Sequence, residues 1–137
     1  FNTTYTVEYL GNVIEGQEVT VPILGERTLT PVCIEPKNEF YDFHAKYVRD
    51  DTNYFQADFS KEEMDIVRDF AWHGFSSLGC TGWGRVDFIL DKERNFQLLE
   101  VNTSPGMTET SLVPKSASFE GMDFNSLIIN ILKEACF

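Results

Sequence analysis

The chain has 137 residues, of which 42% are hydrophobic and 12 are Phe, enough to fill the core of one domain and too apolar for a disordered segment. With 22 acidic residues against 11 basic ones its formal net charge is −11, which argues against a nucleic-acid backbone or an anionic membrane surface as partner. No run approaches the roughly 18 apolar residues of a membrane span, and the opening FNTTYTVEYL lacks the basic and apolar regions of a secretory leader. Three scattered cysteines, Cys33, Cys80 and Cys136, suit neither a disulfide framework nor a metal knuckle and read as reduced thiols of a cytoplasmic protein. The start at Phe1 suggests a fragment or a processed product.

In EVTVPILGERTLTPVCIE, Val19, Val21 and Ile23 alternate with smaller or polar residues, Gly25-Glu26-Arg27 follows, and a second alternating run begins. The pattern predicts a β-hairpin with arms at 18–24 and 28–35. Pro22 and Pro31 each remove a ladder donor, which favours edge positions or irregular pairing. From Pro36 to Asp58 the sequence PKNEFYDFHAKYVRDDTNYFQAD keeps no period of two or of 3.6. It reads either as a lid or binding loop, or as a surface excursion with aromatics tucked beneath it.

SKEEMDIVRDFAWHGFSSLG opens on a capping box, Ser60 with Glu63, and repeats Met64, Val67, Ala71, Phe75 and Leu78 at three- and four-residue steps. An amphipathic helix over about 61–78, ended by Gly79, follows from that spacing. His73 has no second His or Cys one turn away and is expected at the surface or its boundary. Next come two strand-like runs, GRVDFIL at 84–90 and FQLLEVN at 96–102, joined by the turn-rich DKERN. Ser111 before Leu112, Val113 and Pro114 looks like an N-cap opening a short helix with the proline in its first turn. A last helix, from Phe124 to about Cys136, would present Leu127, Ile128, Ile131, Leu132 and Ala135 on one face behind an Asp123 cap. With no repeat, low-complexity tract or linker, residues 1–137 are expected to form one domain.

The two strands can be set in register by burial. A loop of Lys92 to Asn95 places Asp91 opposite Phe96, Ile89 opposite Leu98, Asp87 opposite Glu100 and Arg85 opposite Asn102. Arg85, Asp87, Glu100 and Asn102 then share one face, while Val86, Phe88, Leu99 and Val101 share the other. A slip by one residue would mix the faces. Two directly opposed carboxylates repel unless a positive group lies between them. Asp87, Glu100 and the Asn102 amide oxygen are hard donors suited to Mg²⁺; the alternative is a solvent-facing side on which Arg85 merely pairs with the acids. The TSPGMTETS segment would bring backbone N–H groups and hydroxyls just beyond the carboxylates, and a helix start offers amides to an anion. Metal ligands, an arginine and an anion-ready helix start together suit phosphoryl or acyl-phosphate chemistry.

GCTGWGRVDFIL and LLEVNTSPGMTETSLVP closely resemble the C-terminal part of the bacterial D-alanine–D-alanine ligases, members of the ATP-grasp superfamily. FYDFHAKY resembles their mobile omega loop, and EGQEVTVPILGE the nucleotide-side strand before it, so the likeness runs from about Val13 to Leu132. The resemblance implies an α+β fold, a mainly antiparallel sheet with flanking helices and a long omega-type loop. It implies Mg²⁺, with Mn²⁺ as a possible substitute, on Asp87, Glu100 and Asn102. Arg85 and the Gly106 backbone match groups that stabilise the reacting carbonyl and the tetrahedral intermediate. Ser111 and the Leu112 amide match the pair holding the carboxylate of the second D-alanine. Lys46 matches a lysine reaching ATP phosphate, Tyr47 the loop tyrosine that closes over the site, Glu18 the acid on the ribose, and Asn12 and Ile14 the backbone positions at the adenine.

The implied reaction, serving peptidoglycan precursor synthesis in the cytoplasm, joins two D-alanines. ATP phosphorylates the carboxylate of the first, two Mg²⁺ ions neutralise the transferring phosphoryl, and the amine of the second attacks the acyl phosphate. A lid around Lys46 and Tyr47 would keep water from that intermediate. The chain departs from the family at Gly11, where an acidic residue is common beside the adenine, and lacks the N-terminal domain, the glycine-rich loop and two phosphate-binding lysines. It is therefore expected to be inactive alone, and the full-length enzyme to be a homodimer. D-lactate- or D-serine-using ligases are the nearest rivals, although the AKY loop resembles the dipeptide-forming enzymes. A non-catalytic metal- or nucleotide-binding module is the rival of another class.

Overall fold

Alternating apolar residues from Gly16 to Leu24 build the strand on which the rest of the chain is organised. The computed structural model describes residues 14–36 and 52–135. Its elements are β1 (Gly16–Leu24), β2 (Arg27–Thr28), β3 (Val32–Pro36), β4 (Thr52–Gln56), α1 (Lys61–Ser77), β5 (Trp83–Asp91), β6 (Phe96–Asn102), α2 (Leu112–Phe119) and α3 (Phe124–Glu134). The sheet runs β4-β3-β1-β5-β6 with β2 beside β1, and every pairing is antiparallel. This is the α+β architecture expected from the sequence; the omega-type loop falls on residues outside those described.

The expected hairpin forms, but its second arm is broken. Ile23 pairs with Thr28, whereas Val19 pairs with Cys33, so the register moves by one residue between β2 and β3. The break holds Pro31, and Leu29 turns inward there, donating its N–H to Pro22 O at 2.8 Å. Irregular pairing therefore accommodates both prolines. The edge position does not apply to Pro22, because β1 lies in the middle of the sheet.

A second correction concerns residues 36–58. Thr52–Gln56 is a strand paired along β3, with Cys33 opposite Phe55 and Ile34 opposite Tyr54. Asn53, Tyr54, Phe55 and Gln56 are all exposed at the sheet edge, so the inward–outward alternation that reveals a half-buried strand is missing. Residues 37–51, including most of the expected lid, lie outside the described residues.

Helices cover both faces. Residues Val19, Val21, Ile23, Val86, Phe88, Leu90 and Phe96 meet Val67, Ala71 and Phe75 of α1. Each fully buried large side chain there contributes about 1.5–3 kcal/mol. Across the sheet, Leu24 and Leu29 pack with Val113 and Ala117 of α2 and Leu127 of α3.

The α1 capping box is complete: Glu63 N–H donates to Ser60 Oγ at 3.2 Å and Ser60 N–H to Glu63 Oε2 at 3.0 Å. Gly79, at φ +73°, ends the helix, with its N–H on Ser76 O. Leu78, expected on the buried face, follows the last helical residue and is 68% exposed. His73 is a surface residue beside Asp69, as expected. Asp123 caps α3 through Ser126 N–H at 2.7 Å. That helix stops at Glu134, which leaves Ala135 beyond it, and Leu132 faces solvent rather than the core. Among the described residues no helix is long and apolar enough to cross a membrane.

Candidate functional site

Strands β5 and β6 set the site. Arg85 pairs with Asn102, Val86 with Val101 and Asp87 with Glu100, in the register that burial favoured. Beyond Asp87 the ladder shifts, so that Phe88 faces Leu98, Ile89 faces Gln97 and Leu90 faces Phe96. The expected pairs Ile89–Leu98 and Asp91–Phe96 are thus corrected by one residue. Leu99 is the extra residue of the resulting β-bulge and is 52% exposed, not part of the core face. The bulge lets Phe96 and Leu98 join Val86, Phe88 and Leu90 on the α1 side while Glu100 stays opposite Asp87. At the far end the turn is closed by Asp91, whose carboxylate accepts the N–H groups of Asn95 and Glu93. The Asn95 N–H, then Gln97 and Glu93, hold the Asp91 carboxyl below its usual range.

Arg85, Asp87, Glu100 and Asn102 lie together on the face that α2 and α3 also cover. Arg85 grips Asp87 with two parallel bonds, Nε to Oδ1 at 2.9 Å and Nη2 to Oδ2 at 2.8 Å. The pair is nearly dry, with side chains 17% and 10% exposed. Nη2 also lies 3.9 Å from Glu100 Oε1, so the guanidinium stands between the two opposed carboxylates. A residue absent from the sequence reading completes the group: buried Thr20, opposite Asp87 on β1, donates its hydroxyl to Asp87 Oδ1 at 2.5 Å. Its only sequence signal was its place two residues after Glu18 on the polar parity of β1. Asn102 Oδ1 accepts the Ser104 N–H at 3.0 Å, which starts the turn leading away from β6.

That turn brings Gly106 to Ser111; a Cβ on Gly106 would stand 3.2 Å from Ser111 Oγ. Ser111 occupies the N-cap position of α2 with extended backbone, but its side chain makes no capping bond. Its Oγ instead accepts the Thr108 N–H at 3.0 Å and meets Thr108 Oγ1 at 2.8 Å. The helix is anchored at its middle, where Ser116 donates to Thr30 O at 2.6 Å. Leu112 is the first helical residue, and Pro114 lies buried in the first turn as expected.

Glu18 shares the site's sheet face, opposite Ile89 on β5. Ile14 precedes β1 and is 48% exposed. Asn12, Lys46 and Tyr47 lie outside the described residues.

Among the described residues no group of three or more His, Cys, Asp or Glu is placed to hold a metal. The candidate set is leaner, two carboxylates and an amide. Asp87 has three of about four acceptor positions filled, leaving one on Oδ2. Glu100 is 61% exposed, and Asn102 Oδ1 keeps one lone pair beside its bond to Ser104. One oxygen from each, with water or phosphate completing the shell, fits Mg²⁺ better than a cation needing an all-protein cage.

Comparison with known proteins gives concordant findings. The chain matches the family described as D-ala D-ala ligase C-terminus over residues 4–133. It is 45% identical over 121 residues to a D-alanine–D-alanine ligase of Actinobacillus succinogenes, covering 88% of this chain and 39% of that protein. A crystal structure of D-alanine–D-alanine ligase from Bacillus anthracis superposes with a TM-score of 0.76 at 32% identity, over 89% of this chain and 40% of that one. A structure of a D-alanine–D-alanine ligase from Bacillus anthracis complexed with ATP gives 0.74 at 28% identity, over 89% and 38%. The chain thus spans about two-fifths of the length of these relatives.

Proposed function

The chain belongs to the D-Ala-D-Ala ligase C-terminus family, and on that premise we infer that it supplies the cation- and carboxylate-binding part of an ATP-dependent ligase joining two D-alanines through an acyl phosphate. The observation that carries the reading is the four-residue face of Arg85, Asp87, Glu100 and Asn102, two opposed carboxylates straddled by a guanidinium. Directly opposed carboxylates repel, and a site for a divalent cation and a transferring phosphoryl accounts for their opposition.

Asp87, Glu100 and Asn102 would hold Mg²⁺, which when bound neutralises charge on the phosphoryl group. Arg85, fixed by Asp87, would present its remaining N–H donors to the oxygen on which charge develops, and the Gly106 backbone would join it there. Ser111 and the Leu112 amide, at the start of α2, would take the carboxylate of the second D-alanine. Glu18, on the same sheet face, would meet the ribose, and Ile14 and Asn12 the adenine. Lys46 and Tyr47 would close over the site and exclude water. In this reading the enzyme is cytoplasmic, serves cell-wall precursor synthesis and is dimeric at full length, whereas residues 1–137 alone do not turn over.

The test is product identification. Full-length protein carrying this segment is supplied with Mg·ATP and D-alanine, alone and with D-lactate or D-serine, and products are identified by mass. D-alanyl-D-alanine supports the reading. A mixed product assigns a different second substrate, and nucleotide binding without any product makes the segment a non-catalytic module.

A further inference from the structure

We propose that Thr20 is a positioning residue for the cation site: its hydroxyl occupies Oδ1 of Asp87, so that Oδ2, on the Glu100 side, is the oxygen left for a divalent cation. The proposal rests on the reading that Asp87, Glu100 and Asn102 hold such a cation, and extends it to a residue on another strand.

Thr20, Asp87 and Glu100 stand in one row across β1, β5 and β6, each directly opposite the next. Thr20 is completely buried. Its neighbours Val19 and Val21 fill the core on the other face, and a valine at position 20 would occupy the same volume with no polar atom to satisfy. Packing alone therefore does not call for a hydroxyl here. The hydroxyl bonds to the carboxylate oxygen on the β1 side. The other oxygen is the one bonded to Arg85 Nη2, the nitrogen that also lies 3.9 Å from Glu100 Oε1. With Thr20 and Arg85 Nε on Oδ1 and Arg85 Nη2 on Oδ2, three bonds hold the carboxylate, and its one open acceptor position is on Oδ2. Without Thr20 the guanidinium alone holds Asp87, Oδ1 regains an open lone pair away from Glu100, and the ordering cost shifts to cation binding. Partners of this kind, which orient a metal ligand without touching the metal, typically govern about 10- to 100-fold in affinity.

The experiment titrates Mn²⁺ into the full-length protein carrying this segment and reads free Mn²⁺ by electron paramagnetic resonance. It compares wild type, Thr20→Val, Thr20→Ser and Asp87→Asn, with cation-free thermal melts of each. The expected result is a folded Thr20→Val with affinity lowered about tenfold and a Thr20→Ser close to wild type. Asp87-dependent binding that Thr20→Val leaves unchanged overturns the proposal, as does a Thr20→Ser that falls as far as Thr20→Val. Wild-type binding no tighter than that of Asp87→Asn overturns the cation reading itself and the proposal with it. If Thr20→Val does not fold, Thr20→Ala is read against Thr20→Ser in the same way.

Discussion

Removing the guanidinium from between the opposed carboxylates should cost the cation-free protein much of its stability. In Arg85→Met the side-chain stem is kept, and the two charge-assisted bonds to Asp87, at 2.9 and 2.8 Å, are lost. Both partners are at least four-fifths buried, so the carboxylate left behind is poorly hydrated and again faces Glu100. Breaking one side of a buried ion pair costs about 3–5 kcal/mol. The lower end applies, because Asp87 keeps the Thr20 hydroxyl and Glu100 is open to water. For a chain of this size about 3 kcal/mol lowers Tm by roughly 10 °C. Urea unfolding at neutral pH measures the loss. A cycle with Asp87→Asn should return a coupling of about 2 kcal/mol. Millimolar Mg²⁺ should raise the Tm of Arg85→Met more than that of wild type, since a cation then replaces the missing charge. A loss under about 0.5 kcal/mol, the level of an exposed ion pair, would refute the view that Arg85 holds the carboxylates together.

Three further outcomes follow from the surroundings of the site. Arg94, then the Ser60 N–H, hold Glu63 down to about 2, so their stabilisation is present above about 4.5 and lost as pH falls toward 2; Arg94→Ala should move the acid-unfolding midpoint upward. Burial pushes the Cys33 thiol up to about 11 from 9.0, so stability should fall as pH rises through that interval, and urea midpoints of Cys33→Ala should lack the alkaline step. In Gly84→Ala the new methyl would meet the Phe75 ring at 2.6 Å and Asn102 O at 3.0 Å. Such overpacking costs about 1–3 kcal/mol, measurable by denaturant titration.

Much of this architecture was readable because burial leaves a pattern. Residues 61–79 showed their cap, apolar stripe and stop directly, and the Arg85–Asp87 half of the β5–β6 register followed from separating apolar from polar faces. What escaped has common causes. The Leu99 bulge keeps Glu100 in place while shifting Phe96 and Leu98, and no local signal marks one extra residue in an apolar run. Strand β4 is an edge strand exposed along its described side chains, so alternation had nothing to report. Thr20 looked like any strand threonine until β1 was laid beside β5. Ser111 was identifiable by position, but the direction of its hydroxyl, toward Thr108 rather than the helix, depends on the fold of the turn.

The most direct test of the central claim is D-alanine-dependent phosphate release by the full-length protein carrying this segment, compared with its Glu100→Ala variant under saturating Mg·ATP. The account predicts that wild type releases phosphate as it forms D-alanyl-D-alanine and that Glu100→Ala loses at least about 100-fold, the scale of losing one preorganised electrostatic contact to the transition state. A Glu100→Ala enzyme that turns over like wild type would contradict it.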